Sequence, residues 1–308
     1  MPQLLITRIF SALIVMLGVV TIVFLFIHII PGDPVDVMLG ESARPADRAE
    51  LRHDLGLDRS LPVQWGEYLG GLLRLDLGRS LHSRRPVAEI LAERIPATAK
   101  LAAAGLLIAI LLALPLGLMA ALRRNSGWDR GAMAVAMLGV SNPNFWLGPI
   151  LILVFSLWLG WFPVSGDEGP LALVLPAITL GTALAAILSR MLRSSLLEVL
   201  GEDFVRTARA KGLSPARVVL RHALGNAGLP LLTLLGLQLG TLLGGAVITE
   251  AVFSWPGLGS LIIEAIQARD YPVVQACVLV ISLAYVGVNT FTDVLYAALD
   301  PRIRGQQP

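Results

Sequence analysis

Six times along the chain, apolar residues run on without a charge for long enough to cross a bilayer. The stretches lie between Arg8 and Asp33, Lys100 and Arg123, Arg130 and Asp167, Glu168 and Arg190, Arg221 and Glu250, and Asp270 and Asp293. A hydrocarbon core of about 30 Å takes some 20 residues of helix, and lipid offers no partner to an unpaired backbone N–H or C=O. The pattern therefore predicts an all-α membrane protein with six transmembrane helices. The third stretch is too long for one straight helix and carries Ser141-Asn142-Pro143-Asn144, Pro149 and Trp161-Phe162-Pro163, which predicts one kinked span ending near Gly160. The first stretch meets Pro31-Gly32-Asp33-Pro34 with no small-x-small cleavage site, so it reads as an uncleaved anchor.

The polar remainder gathers into two long segments. Residues 31–96 follow the first span (1–30), and the core (97–308) carries an inner segment over 190–228. In the outer segment, Pro62 to Leu75 places Trp65, Tyr68, Leu69, Leu72 and Leu73 at helical spacing, and Pro86 to Ile95 does the same with Val87, Ile90, Leu91 and Ile95. Gly56 and Gly78 stand as helix stops. Few residues are available there for a core of their own, so these helices are expected on the outer ends of the spans, as a docking platform or a structural cap. The inner segment predicts a helix through Asp203 to Lys211 stopped by Gly212. A turn at Leu213 follows, with Ser214 as cap, Pro215 in the first turn and a second helix over Ala216 to Leu224. Leu213 is expected to project between Arg209, Lys211 and Arg217 and to suit a groove on another protein. The alternative is a basic loop resting on lipid headgroups.

Composition agrees with membrane residence: 55% of the residues are hydrophobic and 15% charged, against about 25% charged in globular proteins. The net charge of +2 provides no general attraction for nucleic acid. Its distribution is more informative, because Lys and Arg near span ends stay on the cytoplasmic side. Arg123 to Arg130 holds three and Arg190 to Arg221 holds seven, whereas Trp161 to Pro170 has none and Phe253 to Tyr271 only Arg269. Both termini are therefore expected inside. The outer segment carries nine Arg and 11 acidic residues, but long segments cross regardless of charge. One cysteine, Cys277, rules out an intrachain disulfide. His28, His53, His82 and His222 never fall at ligand spacing, so no metal site is expected, and no catalytic constellation is assigned.

The run Val205-Arg-Thr-Ala-Arg-Ala-Lys-Gly-Leu-Ser214, continuing through Arg221-His-Ala-Leu-Gly-Asn226 to Pro230, resembles the permease subunits of ATP-binding-cassette importers of the dipeptide, oligopeptide and nickel branch. His28-Ile-Ile-Pro-Gly-Asp-Pro34, Phe253-Ser-Trp-Pro-Gly-Leu-Gly259, Ala268-Arg-Asp-Tyr-Pro272 and Leu299-Asp-Pro-Arg-Ile-Arg304 carry the same resemblance along the whole chain. Of the wider family's Glu-Ala-Ala, three residues, Gly signature, only Ala208 and Gly212 are kept; the acidic position is Arg206.

The resemblance implies a type I importer permease fold in a bacterial inner membrane and a complex with a second permease, two ATPase subunits and an external solute-binding protein. ATP is then bound by the ATPase partners, and this chain holds no cofactor. Its only lysines, Lys100 and Lys211, do not follow a glycine, so it lacks the Gly-Lys-Ser/Thr phosphate loop. The resemblance also makes Arg206, Thr207, Ala208, Arg209, Lys211, Gly212, Leu213, Ser214, Pro215 and Arg217 the loop that couples to the ATPase.

Asn142 falls about 16 Å along a helix counted from Gly131, beside a backbone-breaking proline. Asn142 and Asn144 therefore either line a pathway or mark a kink satisfied by neighbouring helices. Gln238 could face the path or a helix partner, and Gly236, Gly240 and Gly244 form a small-residue face for packing. Glu250 and Asp293 are expected at the interfaces. The function expected is ATP-driven import of short peptides, with nickel or another small solute as the alternative cargo. An ion-coupled secondary transporter places ionisable groups at mid-membrane, and the span interiors here are nearly bare of them.

Overall fold

The computed structural model describes residues 2–29, 35, 39–40 and 43–299, and the side chains of these apart from 2–9, 26–29, 229 and 293–299. Helices follow one another as α1 (Pro2–Ile29), α2 (Pro45–Asp54), α3 (Leu61–Leu73), α4 (Val87–Leu122), α5 (Gly127–Ser141), α6 (Asn144–Leu151), α7 (Val174–Val199), α8 (Asp203–Ala210), α9 (Pro215–Arg217), α10 (Leu224–Phe253), α11 (Leu258–Gln267) and α12 (Tyr271–Leu299). Among the described residues there is no strand. Four helical segments, Val87–Leu122, Pro170–Val199, Pro230–Phe253 and Tyr271–Thr292, are long and apolar enough to cross a membrane. The first expected span coincides with the 28-residue α1. Asp293 and the closing 300–308 run fall outside the described side chains.

The third span differs from expectation. Its break lies at Asn142-Pro143, but α5 and the following Asn144–Trp158 segment meet at 106° rather than at a kink. Pro149 sits inside α6, and the chain widens into a π-helical turn at Ile152–Trp158. Proline removes one rung of the helix ladder and its ring crowds the carbonyl four residues back. The helix ends at Trp158, and Gly160 follows two residues later with φ +66°. The expected separate helix at Pro86–Ile95 is also corrected: it is the first part of α4, which passes through Pro96 and runs 36 residues, about 54 Å.

Two compact units divide the chain. One holds the described residues of 1–98 and 256–286, the other those of 99–255 and 287–308.

In the first unit, Val87 and Leu91 of α4 pack with Leu258, Leu261 and Ala265 of α11 and with Val273, Ala276 and Cys277 of α12. Thr98 Oγ1 accepts the Leu258 N–H at 2.7 Å, satisfying one of the donors left free where α11 begins. Of the α3 face named from sequence, Trp65, Tyr68, Leu69 and Leu72 are half-buried and Leu73 is exposed, and Tyr68 stacks on Phe24 of α1 with ring centroids 6.2 Å apart. Burial pushes the Tyr68 hydroxyl up to about 12.

Beyond α11, Arg269 takes a left-handed φ of +53° and delivers Asp270 into the turn 80–83. The buried Asp270 carboxylate accepts from the Ser80 hydroxyl, from Leu81 N–H at 3.0 Å and from His82 N–H at 3.4 Å. Asp270→Ala is expected to strand these donors at about 2–3 kcal/mol. The checks are a lowered melting temperature of the purified complex and faster hydrogen exchange at the Leu81 amide.

The second unit is built on close helix approaches. A Cβ on Gly181 of α7 would lie 2.5 Å from the Gly105 carbonyl of α4, and one on Gly139 of α5 would lie 2.9 Å from the Thr182 carbonyl. α5 and α7 run antiparallel. Near the other end of the pair, Arg193 Nε and Nη2 donate to the Asp129 carboxylate at 2.7 and 2.8 Å. The Asn125 N–H adds a bond of 2.9 Å to the same carboxylate. Asp129 is 4% exposed, and such bidentate pairs are among the strongest side-chain contacts.

Candidate functional site

The segment after α7 forms a closed elbow. Glu202 enters α8 with extended backbone, Asp203 lies in the first turn and Arg209 in the last, signs that suit the helix dipole. Val205 and Ala208, three apart, are the buried face. They pack with Val218 and are joined there by Val199, Leu200 and Leu213. The stop is a Schellman motif: Gly212 has φ +78°, its N–H donates to Arg209 O at 2.9 Å, and the Leu213 N–H reaches Ala208 O at 3.4 Å.

Leu213 therefore does not project into solvent. It is partly buried against α8, because the residue after a left-handed glycine is turned back onto the helix it ends. Ala208 is likewise a packing residue, 7% exposed. The outward surface is made by Arg206, Thr207, Arg209, Lys211, Gly212, Ser214, Pro215 and Arg217, all exposed. Ser214 holds the N-cap position, but its hydroxyl makes no cap bond. Pro215 opens the next helix as expected.

That second helix does not end at Leu224. It continues from α9 through a π-helical turn, Val218–Ala223, directly into α10. At its base, Ala223 and Ala227 pack with Ala121 at the end of α4 and Leu196 of α7, backed by Leu118, Leu197, Val199 and Leu200. The elbow thus bears on three long helices. Sequence reasoning did not find the Asp129–Arg193 pair, which fixes the 123–130 turn to α7. Its only signals were an Asp among the arginines of the 123–130 loop and an Arg three residues past Arg190.

The polar residues singled out in the spans are not clustered. Asn142 is the half-buried residue at the α5–α6 break. Asn144 opens α6 and lies against α10, its Nδ2 3.3 Å from where a Gly245 Cβ would be. Gln238 is half-buried on α10, and its carbonyl accepts from Thr241. On the same helix Gly236 meets Thr292 of α12, whereas Gly244 faces open space and the neighbouring Gly245 makes the approach to Asn144 and Leu180. Glu250 is fully buried near the end of α10, not an interfacial anchor. The Schellman turn at Ser254 folds the chain back over it, with the Trp255 N–H on Glu250 O at 2.9 Å.

Residues 113–305 match the family model of the binding-protein-dependent transport system inner membrane component, and residues 1–102 match the N-terminal model of the same membrane component. The chain belongs to this family. As an inner-membrane component it is a transport subunit, and its multi-pass helices agree with that location. It is 47% identical to the di/tripeptide transport system permease protein DppB of Pseudomonas aeruginosa (strain UCBPP-PA14), over 94% of this chain and 95% of that one. It is 45% identical to the glutathione transport system permease protein GsiC of Salmonella choleraesuis (strain SC-B67), over 96% of this chain and 97% of that one. Its fold matches an inward-facing MetNI methionine ABC transporter structure with a TM-score of 0.60 at 20% identity, covering 69% of this chain and 97% of that chain. The permease fold is thus that of the type I ABC importers.

Proposed function

We propose that this permease imports short peptides by alternating access, with the elbow from Asp203 to Arg217 docked on a separate ATPase subunit. The observation that carries the reading is the elbow's construction. α8 is clamped by a Schellman turn onto a helix that continues without interruption into α10, so a displacement of the exposed basic face moves a whole span. ATP is bound and hydrolysed by the partner pair, a second permease completes the path, and an external binding protein delivers cargo to the outer segment. Both termini and the elbow lie on the cytoplasmic side, a placement supported by the lysine and arginine distribution. Asn142, Asn144 and Gln238 contribute polar groups to the path, at depths where unpaired backbone needs protein or water. The peptide cargo is supported by the di/tripeptide and glutathione systems to which the two relatives belong, glutathione itself being a tripeptide.

The test is reconstitution of the complete importer in liposomes with its binding protein. Di- and tripeptides are expected to stimulate ATP hydrolysis and to accumulate inside. Accumulation of a divalent cation in place of peptide would overturn the cargo. Uptake driven by an ion gradient with the ATPase absent would overturn the mechanism.

A further inference from the structure

We propose that the groove between α1 and the start of α3 is a binding site for an acyl chain of a membrane phospholipid. The groove, about 260 Å³, is lined by Thr21, Phe24 and Leu25 of α1 and by Leu61, Pro62 and Trp65 of α3. Its lining is almost wholly hydrocarbon, and the two polar groups present are already satisfied. The Trp65 indole N–H donates to the Thr21 hydroxyl at 3.2 Å, and that hydroxyl donates to the Leu17 carbonyl at 2.7 Å. A polar or charged occupant would lose its hydration there and find no partner, whereas a methylene chain loses nothing.

Position decides between hydrocarbon of a protein partner and hydrocarbon of lipid. Phe10, Ile14, Leu17, Thr21 and Leu25 follow one another at spacings of three and four, so they share one face of α1. Of these, Phe10, Ile14, Leu17 and Leu25 are exposed at 44–64%. In a bilayer an apolar face of this kind meets acyl chains, and the groove is its continuation: Thr21 and Leu25 belong to both. α3 forms the other wall of the groove. Its exposed apolar residues, Leu61 and Val63 at one end and Leu73 at the other, fit a helix lying at the interface, with Trp65 at the level favoured by indole rings.

The test uses the complete importer in phospholipid nanodiscs. Leu61→p-benzoylphenylalanine, irradiated, is expected to give an adduct whose added mass is that of a phospholipid. Cross-linking to the second permease or to the external binding protein would overturn the proposal. In parallel, the emission lost in Trp65→Phe isolates the Trp65 signal. That signal is expected to be quenched by lipids brominated on the acyl chain and to be insensitive to aqueous acrylamide. The reverse pattern, with Trp65 open to acrylamide and indifferent to brominated lipid, would also overturn it, and this measurement holds even if the cross-linking variant does not assemble.

Discussion

Gly212→Pro is expected to insert and assemble normally, yet to lose cargo-stimulated ATP hydrolysis together with uptake. Gly212 stands at φ +78°, a region closed to proline, whose ring fixes φ near −65°. Its N–H also donates to the Arg209 carbonyl at 2.9 Å, and proline has none to give. Together these cost about 3 kcal/mol against the observed turn, enough to depopulate the docked geometry about a hundredfold. A Cβ at position 212 meets nothing within 4 Å, so the loss lies in the backbone path and not in a Cβ clash. Gly212→Ala, which bears the left-handed penalty of about 1 kcal/mol, should fall between the two in both readouts. Membrane insertion and ATPase binding are measured on the same preparation. Normal uptake by a fully assembled Gly212→Pro importer would remove the elbow from the mechanism.

Gly181→Leu is expected to have the largest effect on the permease itself, abolishing a stable, monodisperse complex. The side chain would begin 2.5 Å from the Gly105 carbonyl and 3.2 Å from the Ala109 nitrogen. Both are backbone atoms of α4 that cannot swing aside, so α4 and α7 must separate. Overpacking by a methylene or two costs about 1–3 kcal/mol, and in lipid no hydrophobic force returns the helices to contact once tight packing is lost. Gly181→Ala should lower the melting temperature of the complex without preventing its formation. Gly131→Ala, with open space around the new methyl, is the control and should change stability little. A Gly181→Leu permease that assembles with an unchanged melting temperature would show that the α4–α7 contact is not needed.

Most of the helices and the elbow's stop and turn were legible because each rests on local chemistry. Charge-free runs of membrane length have no folded alternative in lipid, and Gly212 followed by Leu213-Ser214-Pro215 encodes a stop, a turn and a start within a few residues. The direction of Leu213 was misjudged because a side chain next to a left-handed turn is aimed by the turn. Its neighbours in space, Val205 and Val218, lie on opposite sides of that turn in sequence. On α10 regular spacing marks a small-residue face, but only the neighbouring helices determine that Gly236 meets Thr292 and that Gly245 meets Asn144 and Leu180.

Hydropathy and punctuation alone determined that this chain is a helical membrane protein, where its helices begin and break, and where a rigid turn stands. Tertiary structure alone decided the angle at Asn142-Pro143, the burial of Glu250, the Asp129–Arg193 pair, the Asp270 clamp on residues 80–83 and the passage of the elbow's second helix into α10. The division has a physical cause. Burial from water and backbone geometry act on each segment by itself, whereas hydrogen bonds, ion pairs and close approaches join residues up to 190 positions apart and exist only once the helices have packed.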